Sequence, residues 1–308
     1  MKFNLARICH MYYEKRMTQK EIAQQLGCSR IHISRMLQQA RQEGIVSISI
    51  KYDGFFPDLE LELSEKFSPV KFLIVNNFDG DGEALRQAIG IAGGSYVSSI
   101  CQDVKGISVG WGSTMREFAD NFPKGNIHCR VTPMTGGQNF LGLELHANHI
   151  AATLAKRING KSENLLAPAV AGTLKERNAF VSSALVADVL KHAAESNIAV
   201  FSIGAPFAEH ATIGKVGYFT QDDLSLLREA DAACDVISTA FFDSLGNSVA
   251  ESLTKRLVGI TSTQLKSIPN KICLAGGIEK VQAIKIALEA DFVDVLVTDD
   301  QVAKQLLK

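Results

Sequence analysis

The sequence predicts an α/β protein with a small helical head and a larger body built around a mostly parallel β-sheet. Two observations predict this division. Residues 17–42 hold two short helical patterns separated by a glycine, whereas from about residue 70 strand-like runs alternate with helical patterns. Such alternation is typical of βαβ units, in which helices cover both faces of a parallel sheet. A chain of 308 residues is long enough for one head and one body of this kind.

The two helical patterns in the head have recognisable beginnings and ends. Thr18 and Glu21 have the spacing of a capping box, and Ser29 is a suitable N-cap for the second helix. Gly27 lies between the helices, where a residue that tolerates positive φ ends a helix most easily. The apolar positions at helical spacing are Ile22, Ala23 and Leu26, then Ile33, Met36, Leu37 and Ala40. This layout predicts a helix-turn-helix, whose second helix enters the DNA major groove.

The polar face of the second predicted helix, which also carries Ile31, has side chains that suit DNA. Arginine and glutamine offer the donors that guanine and adenine edges require, and serine and backbone amides suit phosphates. The predicted DNA contacts are Thr18, Gln19, Ser29, Arg30, His32, Ser34, Arg35, Gln38 and Arg41. The alternative interpretation is an ordinary surface helix pair whose polar face is only solvated.

The charge distribution supports the DNA interpretation. Residues 1–52 hold nine Lys or Arg and three Glu, a formal charge of +6, so the rest of the chain carries −7. A basic head is the electrostatic footprint of a nucleic-acid site. The six scattered cysteines fit a reducing cytoplasm and argue against a disulfide scaffold or a zinc ribbon. No apolar run approaches the ~18 residues of a membrane span, so we expect a soluble cytoplasmic protein without a membrane partner.

The segments around the helix pair complete the predicted head. Residues 4–15 have apolar helical spacing and predict a first helix that packs behind the pair. Residues 45–51 alternate apolar and polar side chains, which predicts a strand, the first wing of a winged helix-turn-helix. The predicted organisation is a DNA-binding domain at 1–52, a linker at 53–57 and the body at 58–308.

The body contains seven predicted strands and six predicted helices. The strands are predicted at 70–77, 107–112, 129–137, 198–205, 235–243, 271–277 and 294–300. The helices are predicted at 81–101, 113–121, 143–158, 179–195, 220–230 and 278–290. Since ligands of parallel α/β sheets bind at the carboxyl ends of the strands, the residues after each strand are the candidates for a binding site.

Three strand ends carry glycine-rich turns that suit an anion. Glycines let the backbone approach a phosphate, hydroxyls add donors, and a helix N-terminus adds positive potential. The residues concerned are Gly110, Gly112, Ser113 and Thr114, then Thr135, Gly136 and Gly137, and finally Gly276 and Gly277 with Lys280. A lysine in the first turn of a helix is normally unfavourable, so Lys280 suggests a compensating bound anion. Each turn alone could instead be a tight connection that only needs glycine.

Other candidate residues leave alternatives open. Asp243 follows an apolar run and precedes a turn, so its carboxylate could bind sugar hydroxyls or could cap the turn. His146 and His149 have i, i+3 spacing, but no carboxylate or cysteine nearby completes a ligand set, so we expect no metal. We find no Walker motif, dinucleotide fingerprint or nucleophile elbow, and we therefore expect no cofactor and no catalytic residue.

These motifs together resemble the SorC family of sugar-responsive bacterial transcriptional regulators. The head resembles that family from Tyr12 to Ile50. The body does so through VGWGST, PMTGG, LLAPAV, FFDSLGN and the run from Leu274 to Leu307, in the same order along the chain. Two positions depart from the family pattern, namely Cys234, where glycine is common, and the IGAPF segment near residue 203.

The resemblance implies a body similar to phosphosugar isomerases, with an effector-binding and oligomerisation role. It implies that a sugar or phosphorylated sugar controls operator binding by a homo-oligomer, with a tetramer favoured. A repressor is favoured over an activator, which stays the alternative. The resemblance places effector contacts at Gly110, Gly112, Ser113, Thr114, Thr135, Gly136, Gly137, Asp243, Leu245 and Lys280, the last as phosphate anchor. The competing hypotheses are a phosphosugar isomerase or deaminase with a fused DNA-binding head, and a DNA-binding protein whose body serves only for assembly.

Overall fold

The computed structural model describes residues 5–46, 54, 56–78, 80–137, 142–209, 211–237 and 239–308. The chain divides into two compact units: the N-terminal unit, Met1–Asp53, and the C-terminal unit, Gly54–Lys308. Residues 47–51 of the predicted wing strand and residues 53 and 55 of the predicted linker lie outside the described residues. None of the helices in these ranges is long and apolar enough to cross a membrane.

The N-terminal unit contains three helical segments around a small core. They are α1 (Leu5–Cys9), which continues as a π-helical turn at His10–Glu14, α2 (Gln19–Leu26) and α3 (Arg30–Gln42). Ile8, Ile22 and Ile33, one from each segment, are almost completely buried against one another. The predicted helix-turn-helix and the helix behind it are therefore confirmed, and the apolar stripes of α2 and α3 form their shared core.

The C-terminal unit alternates strands and helices. Its strands are β1 (Lys71–Val75), β2 (Gly106–Val109), β3 (Arg130–Pro133), β4 (Lys161–Ser162), β5 (Ile198–Phe201), β6 (Ile203–Gly204), β7 (Cys234–Val236), β8 (Ala240–Phe242), β9 (Ser248–Val249), β10 (Asn270–Leu274) and β11 (Val295–Asp299). Its helices are α4 (Pro57–Lys66), α5 (Gly82–Ile100), α6 (Ser113–Asn121), α7 (Ala147–Arg157), α8 (Leu174–Ser182), α9 (Ala184–Ala194), α10 (Gln221–Glu229), α11 (Glu251–Thr254), α12 (Ser262–Ser267), α13 (Val281–Glu289) and α14 (Asp300–Leu307).

The main sheet has seven parallel strands in the order β1-β11-β10-β5-β2-β3-β4, which confirms the predicted α/β class. Alternate residues of β5 belong to opposite faces: Phe201 packs with the core near α13 and α14, whereas Val200 packs with the core near α5 and α6. Both faces of the sheet are therefore buried, as parallel sheets require. All seven carboxyl ends lie at one edge.

One predicted strand is wrong in its topology. The run 235–243 forms two antiparallel strands, β7 and β8, in a separate four-stranded sheet with the order β6-β7-β8-β9. The chain turns between β7 and β8. Thr239 stabilises this turn, because its backbone N–H and its hydroxyl both donate to the carbonyl of Val236, at 2.8 and 2.9 Å. The turn after β8 nevertheless lies close to the start of α13, since the side-chain amide of Gln282 donates to the carbonyl of Ser244 at 2.7 Å.

Several predicted helices have different bounds. The predicted helix 179–195 is α8 followed by α9, because Ser183 between them has an extended backbone. The predicted helix 143–158 begins at Ala147 after a 3-10 turn, and the one at 278–290 begins with a 3-10 turn that contains Lys280. The C-terminal helix α14 is an element that the sequence patterns missed, and Pro57, assigned to the linker, is the first residue of α4.

Helices α5 and α6 approach each other closely because two glycines of α5 face α6. A Cβ added at Gly90 would lie 2.7 Å from the backbone carbonyl carbon of Glu117 and the backbone nitrogen of Phe118. A Cβ at Gly94 would lie 3.4 Å from the Cα of Phe122, an ordinary contact. The closest backbone approach of the two helices is thus at Gly90.

Because an added Cβ would overlap the α6 backbone at Gly90 but not at Gly94, alanine substitutions at these two positions form a matched pair. Gly90→Ala should lower the free energy of unfolding of the C-terminal unit by about 1–3 kcal/mol, because the two backbones must separate. Gly94→Ala should be neutral or stabilising by up to about 1 kcal/mol, because alanine favours the helix. Urea unfolding followed by the fluorescence of Trp111, the single tryptophan, reports on this unit. An equal loss in both variants would contradict the close-approach argument.

Candidate functional site

Helices α2 and α3 are held in position by hydrogen bonds at their N-termini. The Thr18 hydroxyl accepts from the backbone N–H of Glu21 at 3.3 Å, and the Glu21 carboxylate accepts from the backbone N–H of Thr18 at 2.8 Å. The hydrogen bonds that the backbone N–H and the hydroxyl of Thr18 donate to the Glu21 carboxylate lower the pKa of Glu21. The Ser29 hydroxyl accepts from the backbone N–H of His32 at 3.2 Å and begins α3. Both predicted caps are present, so the start of α3 is well defined.

The face of α3 opposite the core is exposed and polar. Ser34, Arg35 and Gln38 lie along it, with Arg30 and His32 at its N-terminal end. Of the nine predicted DNA contacts, these five share one surface, and Thr18, Gln19 and Ser29 lie at the N-termini of α2 and α3. Arg41 differs because its guanidinium donates to the Tyr13 hydroxyl from Nε at 3.1 Å and from Nη2 at 2.9 Å.

The C-terminal unit has a cavity of about 790 Å³ at the carboxyl edge of the main sheet. Its wall is formed by the segments that follow β1, β2, β5 and β10, by the first two turns of α5, and by part of the small antiparallel sheet. Four of the predicted effector residues line it, namely Gly112, Ser113, Thr114 and Lys280. Parallel topology brings together residues that are far apart in the sequence.

One wall of the cavity is the N-terminus of α6. Gly112 precedes this helix with φ of +115°, a conformation that favours glycine, and no side chain caps the first turn. The backbone N–H groups of this turn carry the positive end of the helix dipole. The hydroxyls of Ser113, half-buried, and Thr114, buried, lie in the same turn. The arrangement offers several donors to a single anion.

Another part of the cavity wall carries Lys280, in the turn that follows Gly276 and Gly277. The backbone N–H of Gly277 donates to the buried carboxylate of Asp299 at 2.7 Å, and Gly277 has φ of +100°. Burial lowers the pKa of Lys280, and the neighbouring Glu279 carboxylate only partly opposes this shift. Lys280 forms no ion pair with any carboxylate of the described residues. The cavity wall therefore carries a desolvated cation that forms no ion pair within the described residues.

The other predicted effector residues do not line the cavity. Gly110 lies against Phe201 and Ile237, and the Thr135 hydroxyl donates to the carbonyl of Val258 at 3.5 Å. A side chain at Gly136 or Gly137 would overlap neighbouring atoms of the fold. These four residues lie in the segments that follow β2 and β3. Their effector contacts stay a prediction.

Asp243 and Leu245 lie in the hairpin between β8 and β9. The Asp243 carboxylate accepts from the backbone N–H groups of Leu245 and Asn247, each at 2.9 Å, and from the Asn247 side-chain amide at 3.0 Å. These bonds, led by those from Asn247, lower the pKa of Asp243. The Leu245 side chain is 85% exposed. This geometry is that of a turn-capping aspartate, the alternative that the sequence left open, and the predicted effector contacts of both residues stay a prediction.

The cavity residues that the sequence reasoning missed include Arg86, in α5, and Asp235, in β7. The guanidinium Nε of Arg86 and the indole Nε1 of Trp111 are buried, and neither has a hydrogen-bond partner among the described residues. Asp235 is a buried carboxylate of β7. Arg86 could have been found by extending the search from the strand ends into the first turns of each following helix. Within the described residues, no cluster of His, Cys, Asp and Glu could hold a metal ion.

Comparisons with known proteins match both units. Residues 55–308 match the family described as "Putative sugar-binding domain", and residues 6–57 match the "Crp-like helix-turn-helix domain". The deoxyribonucleoside regulator of Bacillus subtilis is 27% identical over 301 residues, which cover 96% of this chain and 95% of that protein. The sorbitol operon regulator of Klebsiella pneumoniae is 29% identical over 313 residues, covering 99% and 97%. The crystal structure of the full-length sorbitol operon regulator aligns with a TM-score of 0.75 at 27% identity, covering 99% of this chain and 98% of that one.

Because Lys280 is desolvated and forms no ion pair within the described residues, we expect it to lower the stability of the ligand-free protein. Lys280→Met should raise the free energy of unfolding of the ligand-free protein at neutral pH by an amount on the order of 1 kcal/mol, because methionine has no charge to desolvate. The gain should be full below the lowered folded-state pKa of Lys280 and should shrink as the pH rises toward the ordinary value of 10.5. Urea unfolding followed by Trp111 fluorescence at several pH values measures it.

The control for this measurement is Lys285→Met. Lys285 is exposed on α13 and lies 3.9 Å from Glu289, so its removal should bring no gain. A Lys280→Met protein that is less stable than the wild type at neutral pH would contradict the desolvation argument.

Proposed function

The chain belongs to the SorC family of bacterial transcriptional regulators, and on that basis we propose that α2 and α3 bind operator DNA under the control of a phosphorylated sugar bound in the cavity. One observation carries the effector part of this proposal. Lys280 and Arg86 are two cations in one cavity wall without an ion-pair partner among the described residues. A ligand that brings its own negative charge compensates both.

The effector's phosphate would lie between these cations and the N-terminus of α6. Lys280 supplies a point charge, and the planar guanidinium of Arg86 can bind two phosphate oxygens. The amides of the first turn of α6 and the hydroxyls of Ser113 and Thr114 complete the donor set. Asp235, the buried carboxylate of the cavity wall, is suited to accept a hydrogen bond from a sugar hydroxyl.

Operator recognition would use the exposed face of α3. Arg35 and Gln38 can reach base edges, whereas Thr18, Gln19 and Ser29 lie where helix N-termini meet phosphates. Arg30, His32 and Ser34 extend the same surface at its N-terminal end. Arg41, held by Tyr13, would contact the DNA backbone instead of a base. The basic charge of the head adds a general attraction to DNA.

We further propose a cytoplasmic repressor that acts as a homo-oligomer, with four copies as the favoured number, and that binds its sugar without converting it. Effector binding would weaken operator binding by the difference in the effector's affinity for the DNA-binding and the released state. The regulator names of the relatives support a sensor over an isomerase or deaminase.

The effector proposal is tested on the full-length protein. Urea unfolding by Trp111 fluorescence is measured with a panel of sugar phosphates, their unphosphorylated sugars and inorganic phosphate. A sugar phosphate at a hundredfold excess over its Kd should stabilise the protein by about 2.7 kcal/mol. The effect should be lost in Lys280→Met, reduced in Arg86→Met and retained in Lys285→Met. Equal stabilisation of Lys280→Met and wild type would remove the phosphate anchor, and conversion of the sugar would favour an enzyme.

The operator proposal is tested with duplex DNA that the purified protein selects from a random pool. Arg35→Ala should weaken binding to the selected site by about 1–3 kcal/mol and should relax the preference for one base pair. Arg41→Ala should weaken binding to all sequences similarly, because its guanidinium is already held by Tyr13. Anisotropy titrations at fixed salt measure both. Undiminished operator affinity of Arg35→Ala would exclude Arg35 from base recognition.

A further inference from the structure

The second residue of α3, Ile31, is an exposed apolar side chain on an otherwise polar surface. Its side chain is 66% exposed, whereas Ile33 and Leu37 of the same helix are buried in the core of the N-terminal unit. Ile31 is not part of that core. Its apolar surface therefore contributes nothing to packing within the described part of this unit.

The position of Ile31 places it among the proposed DNA contacts. Ile31, Ser34, Arg35 and Gln38 have the spacing i, i+3, i+4 and i+7, so they form one stripe along α3. Because Ser29 caps the helix, Ile31 lies in its first turn. The N-terminal residues of a recognition helix are those that contact base edges in the major groove.

The chemistry of the major groove limits what Ile31 can recognise there. Base edges in this groove present hydrogen-bond donors and acceptors, which an isoleucine cannot use, and one apolar group, the C5-methyl of thymine. We propose that Ile31 packs against the C5-methyl group of a thymine in each operator half-site and so determines one position of the sequence preference. This inference rests on the proposed operator binding and adds a specificity-determining residue to it.

The test uses the full-length protein and DNA selected from a random duplex pool. Each thymine of the selected site is replaced in turn by uracil, which removes only the C5-methyl group. For the wild type, one thymine position should lose affinity about fourfold per half-site, the effect expected for one buried methylene-sized group. Ile31→Ala should bind the thymine site more weakly and should no longer distinguish thymine from uracil at that position.

The matched control is Ile45→Ala, which removes a second exposed isoleucine of the N-terminal unit that does not lie on α3. This variant should retain the wild-type sensitivity to uracil. The unfolding midpoint of Ile31→Ala should equal that of the wild type, because substitutions of exposed side chains change stability little, so weaker binding cannot be attributed to loss of the fold.

Two outcomes would overturn the inference and leave operator binding intact. The first is a wild-type protein that responds to uracil at no thymine of its selected site. The second is an Ile31→Ala variant that keeps the full thymine preference of the wild type. Failure of the wild type to select any sequence would overturn the proposed operator binding together with this inference, so the two failures are distinguishable.

Discussion

The buried carboxylate of Asp299 holds together three chain segments next to the cavity. It accepts from the backbone N–H of Gly277 at 2.7 Å, and from those of Gln301 and Val302 at 3.0 and 3.1 Å. The side-chain amide of Asn77, after β1, donates to it at 3.4 Å. Without this carboxylate, three backbone donors would lose their partner, at a cost of about 1–3 kcal/mol for each that stays buried. The turn that presents Lys280 therefore depends on a side chain that belongs to another strand.

Binding and stability are opposed in this cavity. A desolvated cation without an ion-pair partner destabilises the ligand-free protein, and the anion proposed to bind there would remove that cost. The proposed ligand would then stabilise the folded state by more than its direct contacts alone would suggest, because it would also relieve the desolvation of Lys280. A site of this kind is maintained for its ligand and not for the fold, which is where a stability–function trade-off is expected.

Sequence patterns predicted the architecture and one of the two cationic residues of the cavity, Lys280, but not the other, Arg86. The helical spacing of the head and the alternation of strands and helices are local signals, and parallel topology then places Ser113 and Lys280 at one edge. Asp243 could not be placed, because nothing local shows that β8 pairs antiparallel in a second sheet. Arg86 was missed because it lies beyond a strand-end turn, inside α5, and only the tertiary fold turns it toward the cavity.

The close approach of α5 and α6 has a consequence for ligand size. Arg86 lies one helical turn before Gly90, and Ser113 lies one turn before Glu117, the residue that Gly90 touches. The separation between the guanidinium-bearing turn and the amide-bearing turn is therefore set by backbone contact and not by adjustable side chains. In the proposed site, this fixed separation would limit the width of an anion that contacts both Arg86 and the first turn of α6.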